Sequence, residues 1–244
     1  MTETQTTPPE PAAFHLNLLD AFSLTSHGDA IDLPLSAQRV LVFLALRDRP
    51  VGRSFVAGSL WPEKSENRAN GNLRAALWRL GEPGAVLVER LTTQVRLSPD
   101  IRVDVHDAVT SARRILATAS PLDPVDLDWS RLSRDILPGW YEDWLVLARE
   151  RLRQLRLHAL ETLCVRLIGT GRVAQAIQVG EAVVELEPLR DSGQRALFAA
   201  HLAEGNRAEA LHQYERYRAV LWDTLRLAPS FTIETMLAGL GPTT

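Results

Sequence analysis

The chain has 244 residues, 45% hydrophobic and 23% charged, with net charge −3 and one cysteine, Cys164. That length suits one large domain or two ordinary ones, and the composition is that of a soluble globular protein, expected in the cytoplasm. It excludes an internal disulfide, a multi-cysteine metal site and a bilayer-spanning run, so no membrane partner is expected.

Residues 1–13, MTETQTTPPEPAA, have neither a basic nor an apolar leader segment and are expected to form a polar, disordered tail. From Phe14 to Leu35 the pattern alternates as strands do, with Phe14, Leu16 and Leu18 on one face. The His27-Gly28-Asp29 turn signal between strand runs predicts a small antiparallel sheet. Ser36 is expected to cap an apolar helix running to about Arg47 and stopped by Pro50. Ser54 is expected to cap a short second helix closed by Trp61-Pro62. A third helix is predicted from Glu66 to Leu80, ending at Gly81. Two short strands, 86–88 and 94–97, then form a hairpin through 89–93, and Ile101–Val105 is expected to complete that sheet. Sheet, three helices and hairpin, over residues 14–105, is the order of a winged helix-turn-helix.

The third helix carries the chemistry. Ala69, Leu73, Ala76, Leu77 and Leu80 share one face; Arg68, Asn72, Ala75 and Arg79 lie on the other, flanked by Arg74 and Trp78. Arginine bonds guanine O6 and N7, asparagine bonds adenine N6 and N7, and a small side chain leaves room for a thymine methyl. Residues 36–98 hold ten basic side chains against five acidic ones in an otherwise acidic chain, which suits a polyanion such as double-stranded DNA. Arg90 and Arg96 on the hairpin, with Thr92 and Thr93 near its tip, are candidates for minor-groove and phosphate contact. Arg53 and Ser54, like Ser36 and Arg39, sit at helix N-termini, which favour phosphate. Gly71 is a local misfit, costing about 1 kcal/mol relative to alanine in a helix interior; close backbone approach to DNA and simple tolerance both explain it. No enzyme signal is present: no phosphate-binding Gly-Lys loop, no metal-ligand spacing around His106, and no calcium loop at Asp123, Asp126 and Asp128. No catalytic residue, metal site or cofactor is expected. Cys164, in an apolar helical stretch, is expected to be a buried thiol.

Beyond Val105 helix dominates, making the whole chain mainly α. Residues 119–140, rich in Pro, Asp and Trp, look like a structured connector. A shift of 34 residues superposes 171–186 on 205–220, matching Gly171 with Gly205, Ala174 with Ala208, Ala176 with Ala210 and Ile177 with Leu211. That period is the tetratricopeptide spacing, in which glycine serves the turn and alanine the close helix approach. Residues 106–244 are thus expected to form an all-α TPR-like domain, with 230–240 as a terminal cap.

Three stretches, LPLSAQRVLVFLALRDRPVGR (33–53), LWPEKSENRANGNLRAALWRL (60–80) and LPGWYEDWLVLARERLRQLRLHALETL (137–163), resemble the SARP family, the antibiotic-regulatory activators of actinomycetes. The resemblance runs from about Phe14 to the C-terminus. It implies an OmpR-type winged helix coupled to a bacterial transcriptional activation domain, in the small form of the family. It further implies an activator, pathway-specific for secondary metabolism, that binds promoter direct repeats as side-by-side protomers and contacts RNA polymerase holoenzyme. The competing expectation is a TPR-type interaction scaffold or ligand sensor whose winged helix does not bind DNA.

Overall fold

The computed structural model describes residues 14–117, 128–232 and 235–236. The expected tail, Asp123, Asp126 and most of the expected cap lie outside these. The chain forms two compact units: residues up to Asp107 with Asp135–Glu150, and Ala108–Arg134 with residues from Arg151 on. A single boundary at 105/106 does not describe these units, because 135–150 joins the first.

In the first unit, β1 (Phe14–Asn17), β2 (Ser23–Ser26) and β3 (Asp29–Ala30) form an antiparallel meander. His27 and Gly28, at φ 50° and 97°, make the two-residue turn between β2 and β3, the left-handed pair that matches hairpin twist. Leu16 pairs with Leu24 and both are buried. The fourth strand is β7 (Ile101–Val103), lying parallel to β1 in the order β3-β2-β1-β7. Ile101–Val103 therefore completes the N-terminal sheet and not the hairpin sheet, and the sheet is mixed. Residues 104 and 105 already belong to α5 (Asp104–Leu116). The Asp104 carboxylate accepts the N–H groups of Leu18 and Leu19, each at 2.9 Å.

Helix α1 (Leu35–Ala45) is buried continuously from Val40 to Ala45, as its apolar run requires. Its N-cap is Pro34, and Ser36 lies inside the first turn with no capping bond from the side chain. Similarly, α2 (Arg53–Leu60) is preceded by Gly52 as N-cap, so Ser54 is not the cap. The reason is shared: the extended backbone of Pro34 and Gly52 starts each helix one or two residues earlier than the serine. Helix α3 (Glu66–Trp78) follows, then a short α4 (Pro83–Leu87) where the sequence pattern predicts strand at residues 86 and 87. Pro83 at the helix start is preorganised for helical φ, and three apolar residues carry too little period to tell helix from strand. Strands β4 (Val51–Gly52), β5 (Val88–Arg90) and β6 (Gln94–Leu97) form a second sheet in the order β4-β6-β5.

The segment 135–150 is held to this unit by specific bonds. Leu19 bridges Ile136, the Leu137 N–H donates to Leu18 O at 2.9 Å, and the Asp20 N–H donates to Asp135 O at 2.7 Å. Arg149 donates to the carbonyls of Ile136, Leu137 and Trp140. Trp144 packs edge-on against Phe43 at 5.4 Å, and Trp140 stacks on Phe22 at 6.3 Å.

The second unit holds the later part of α6 (Asp143–Gly169), then α7 (Val173–Leu186), α8 (Asp191–Glu204) and α9 (Arg207–Leu225). The 34-residue repeat is physical here. Gly171 and Gly205 both take positive φ, 74° and 86°, in the turns before α7 and α9. Ala176 and Ala210 are both fully buried, while Ala174 and Ala208 are exposed and serve no close approach. A Cβ on Gly180 would lie 3.1 Å from the Leu197 Cα, so α7 and α8 meet backbone to backbone there. One period later Tyr214 faces Phe231 at 5.6 Å, the same pair of positions in larger residues. The Cys164 thiol is buried and donates to Ala176 O at 3.2 Å; burial pushes its pKa up to about 12, the state of an inert core thiol.

Candidate nucleic-acid interface

Helix α3 divides as its periodicity requires. Ala69, Leu73, Ala76 and Leu77 are buried, and α3 packs on α1 and α2 through them. Arg68, Arg74, Ala75, Trp78 and Arg79 are exposed; Asn72 is half-buried. The centre of the outward face is therefore rotated from the expected one, away from Asn72 and towards Arg74 and Trp78. Arg79, the C-cap residue, donates to the Ser36 hydroxyl at 3.2 Å, which steadies its side chain at the surface. Gly71 has nothing nearer its absent Cβ than an Arg74 side-chain nitrogen at 3.8 Å, so no internal packing demands a glycine there.

The hairpin β5–β6 is the wing. Thr92 and Thr93 are exposed in its turn. The wing arginines, however, are engaged within the fold. Arg96 stands opposite Glu89 in the strand register and pairs with it at 2.7 Å. The hydrogen bond and charge of Glu89 raise the Arg96 pKa further. Arg90 turns back and donates to Leu77 O at 3.1 Å, satisfying a carbonyl in the last turn of α3. The signals for both were present in the sequence: opposite charges directly across a strand pair, and a cation near a helix C-terminus.

At the base of the wing, the Arg53 N–H donates to Thr93 O at 3.0 Å and its side chain reaches Leu91 O at 3.5 Å. One of the unpaired first-turn donors of α2 is thereby used by the wing and not left for phosphate. Ser54 remains exposed beside it. Arg39 is half-buried and turned inward: it donates to Leu60 O at 2.6 Å and pairs with Glu142 at 2.8 Å. His106 Nε2 lies 2.8 Å from Ala45 O, an internal tie. Two groupings result: the outward face of α3, and Arg53, Ser54, Thr92 and Thr93 around the wing turn.

Trp78, which periodicity alone puts on a flank of the helix, is 81% exposed. With Arg79, Glu82, Ala85, Arg90 and Leu91 it lines an open groove of about 1100 Å³ between the end of α3 and the wing. Among the described residues no three His, Cys, Asp or Glu side chains are grouped to hold a metal ion, and no helix is long and apolar enough to cross a membrane.

Comparison with known proteins agrees with this architecture. The family model described as bacterial transcriptional activator domain matches residues 132–239. Among solved structures, the chain is similar to EmbR of Mycobacterium tuberculosis, solved in complex with a low-affinity phosphopeptide, with TM-score 0.70 and 21% identity. The match covers 95% of this chain and 66% of that one, so this chain spans just under two thirds of its length. At that identity the likeness is one of fold. No curated protein sequence gives a match.

Proposed function

We propose that this chain is a transcriptional activator of the SARP type, with the bacterial transcriptional activator domain matched over residues 132–239 behind a winged helix, and that it reads promoter DNA through α3. The observation that carries the reading is the outward face of α3: Arg68, Arg74, Ala75 and Arg79 point to solvent while the opposite face is closed over core. A helix so divided enters the major groove, where arginines bond guanine edges or neighbouring phosphates and Ala75 admits a thymine methyl. Asn72, nearer the core, is placed for an adenine at the edge of the footprint. Thr92 and Thr93 reach phosphate from the wing, and Ser54 from the start of α2.

In this reading the winged helix supplies sequence recognition and the TPR-like helices supply contact with RNA polymerase holoenzyme. Two protomers sit side by side on direct repeats, acting in the cytoplasm on a pathway of secondary metabolism. The test is footprinting of the purified chain on its own upstream region, with and without holoenzyme. The expected result is two protected segments whose centres are about one helical turn apart, roughly 10–11 base pairs, extended towards the promoter when polymerase is added. Uniform, sequence-independent protection, or none, would contradict it.

A further inference from the structure

We propose that Trp78 is a specificity-determining residue: its indole reads a thymine through the 5-methyl group, next to the site read by Ala75. The inference rests on the DNA-binding reading above and deepens it.

The first unit has three other tryptophans, and each has an aromatic or cationic partner within the fold. Trp144 meets Phe43, Trp140 stacks on Phe22, and Trp61 lies under the Arg39 guanidinium at 5.7 Å. Trp78, by contrast, is 81% exposed. The unit also exposes Tyr141 at 96% and Phe55 at 55%, so exposure alone does not single out Trp78. What does is an exposed indole on the arginine-bearing face of α3, since aromatic side chains lose most by remaining hydrated. Its position is set by the helix. Arg68, Gly71, Ala75 and Trp78 recur at three- and four-residue intervals, so they form one stripe along α3, opposite the buried Ala69, Leu73, Ala76 and Leu77. With a rise of about 1.5 Å per residue, Trp78 stands about 4.5 Å beyond Ala75 along the axis, close to one base-pair step of about 3.4 Å.

The chemistry of the surroundings selects the partner. Arg74 and Arg79 flank Trp78 and are exposed, with Glu82 the exposed acid on the groove beyond it. A cation-flanked apolar contact suits a polyanion that offers one apolar group at the base edges, and in the major groove that group is the thymine methyl. A protein surface is the rival partner, because Leu91 adds an exposed apolar neighbour at 41%. The shared stripe with Arg68 and Ala75 favours DNA.

The test uses the full chain and the duplex protected in the footprint, with thymines replaced one at a time by uracil, which removes only the methyl. For the wild type, one replacement is expected to weaken binding roughly three- to fivefold, the scale of one buried methyl group. The same replacement is expected to leave Trp78→Ala unchanged. Trp78→Ala itself is expected to lose roughly tenfold on the intact duplex with an unaltered melting temperature, and Trp78→Phe to retain most of the affinity. The inference is overturned if no uracil position is coupled to Trp78. It is equally overturned if Trp78→Ala binds DNA as the wild type does while its self-association, read by sedimentation, is lost. Arg68→Ala separates the two levels. If it weakens specific binding while Trp78→Ala matches the wild type in both affinity and response to every uracil, only this inference falls; if the wild type shows no specific binding, the DNA reading falls with it.

Discussion

Helix α3 and the wing both carry arginines, yet the fold employs them in opposite ways. On α3, Arg68 and Arg74 project from a face whose reverse side is core. On the wing, Arg96 is matched by Glu89 and Arg90 is folded back onto the Leu77 carbonyl. An arginine available for a phosphate or a base edge brings its full charge to the interface. One already paired must first break that pair, so its net gain is small. Counting basic residues therefore overstates the wing and understates the helix. In the proposed reading the wing contributes through its turn, where Thr92 and Thr93 are exposed, and through its bond to Arg53.

The sharpest way to break this contrast is substitution on α3. Arg68→Ala is expected to cost about 1–3 kcal/mol of specific binding, roughly 5- to 150-fold, in a titration of the target duplex. An equal loss from Arg96→Ala would erase the distinction between helix and wing. Next comes Gly71→Ala, for which the free protein has room. It is expected to raise stability to denaturant by about 1 kcal/mol through helix propensity, and to weaken DNA binding several-fold where the backbone approaches the groove. Unchanged binding would make Gly71 a tolerated misfit. Arg90→Ala is expected to lower stability by about 1 kcal/mol, the scale of one hydrogen bond, with less than a threefold change in affinity. A large binding defect with no loss of stability would place Arg90 on DNA instead. Smallest is Glu89→Gln, which releases Arg96 and is expected to strengthen binding by roughly twofold at low salt; weaker binding would mean that the pair positions the wing.

Much of this arrangement is legible in the sequence where a period is long or a turn residue is decisive. The burial of Ala69, Leu73, Ala76 and Leu77, the turn at His27-Gly28 and the matched glycines 171 and 205 all follow from spacing and local sterics. Short segments are a different matter. Val86 and Leu87 join a helix because Pro83 can start one, and Ile101–Val103 pairs in parallel with β1, a partner more than eighty residues away that no local pattern names. The same limit hid the placement of 135–150, whose tryptophans look like any core aromatics until Phe22 and Phe43 are found beside them. At the interface, residue types identified the candidates, but availability depended on cross-strand register for Arg96 and on a distant carbonyl for Arg90. Trp78 shows the converse: periodicity puts it on a flank beside the outward face, and only the helix's rotation reveals that it is 81% exposed.

The outward face of α3 is tested most directly by the salt dependence of duplex binding, compared between a triple variant of the helix and a double variant of the wing. Phosphate pairing releases counterions, so wild-type affinity is expected to fall roughly tenfold or more between about 50 and about 200 mM salt. Replacing Arg68, Arg74 and Arg79 together by alanine is expected to flatten that dependence, the slope falling by about one for each arginine that meets a phosphate. Replacing Arg90 and Arg96 is expected to leave it nearly intact. A wild-type affinity indifferent to salt, or a slope that disappears with the wing pair and survives without the helix arginines, would contradict the account.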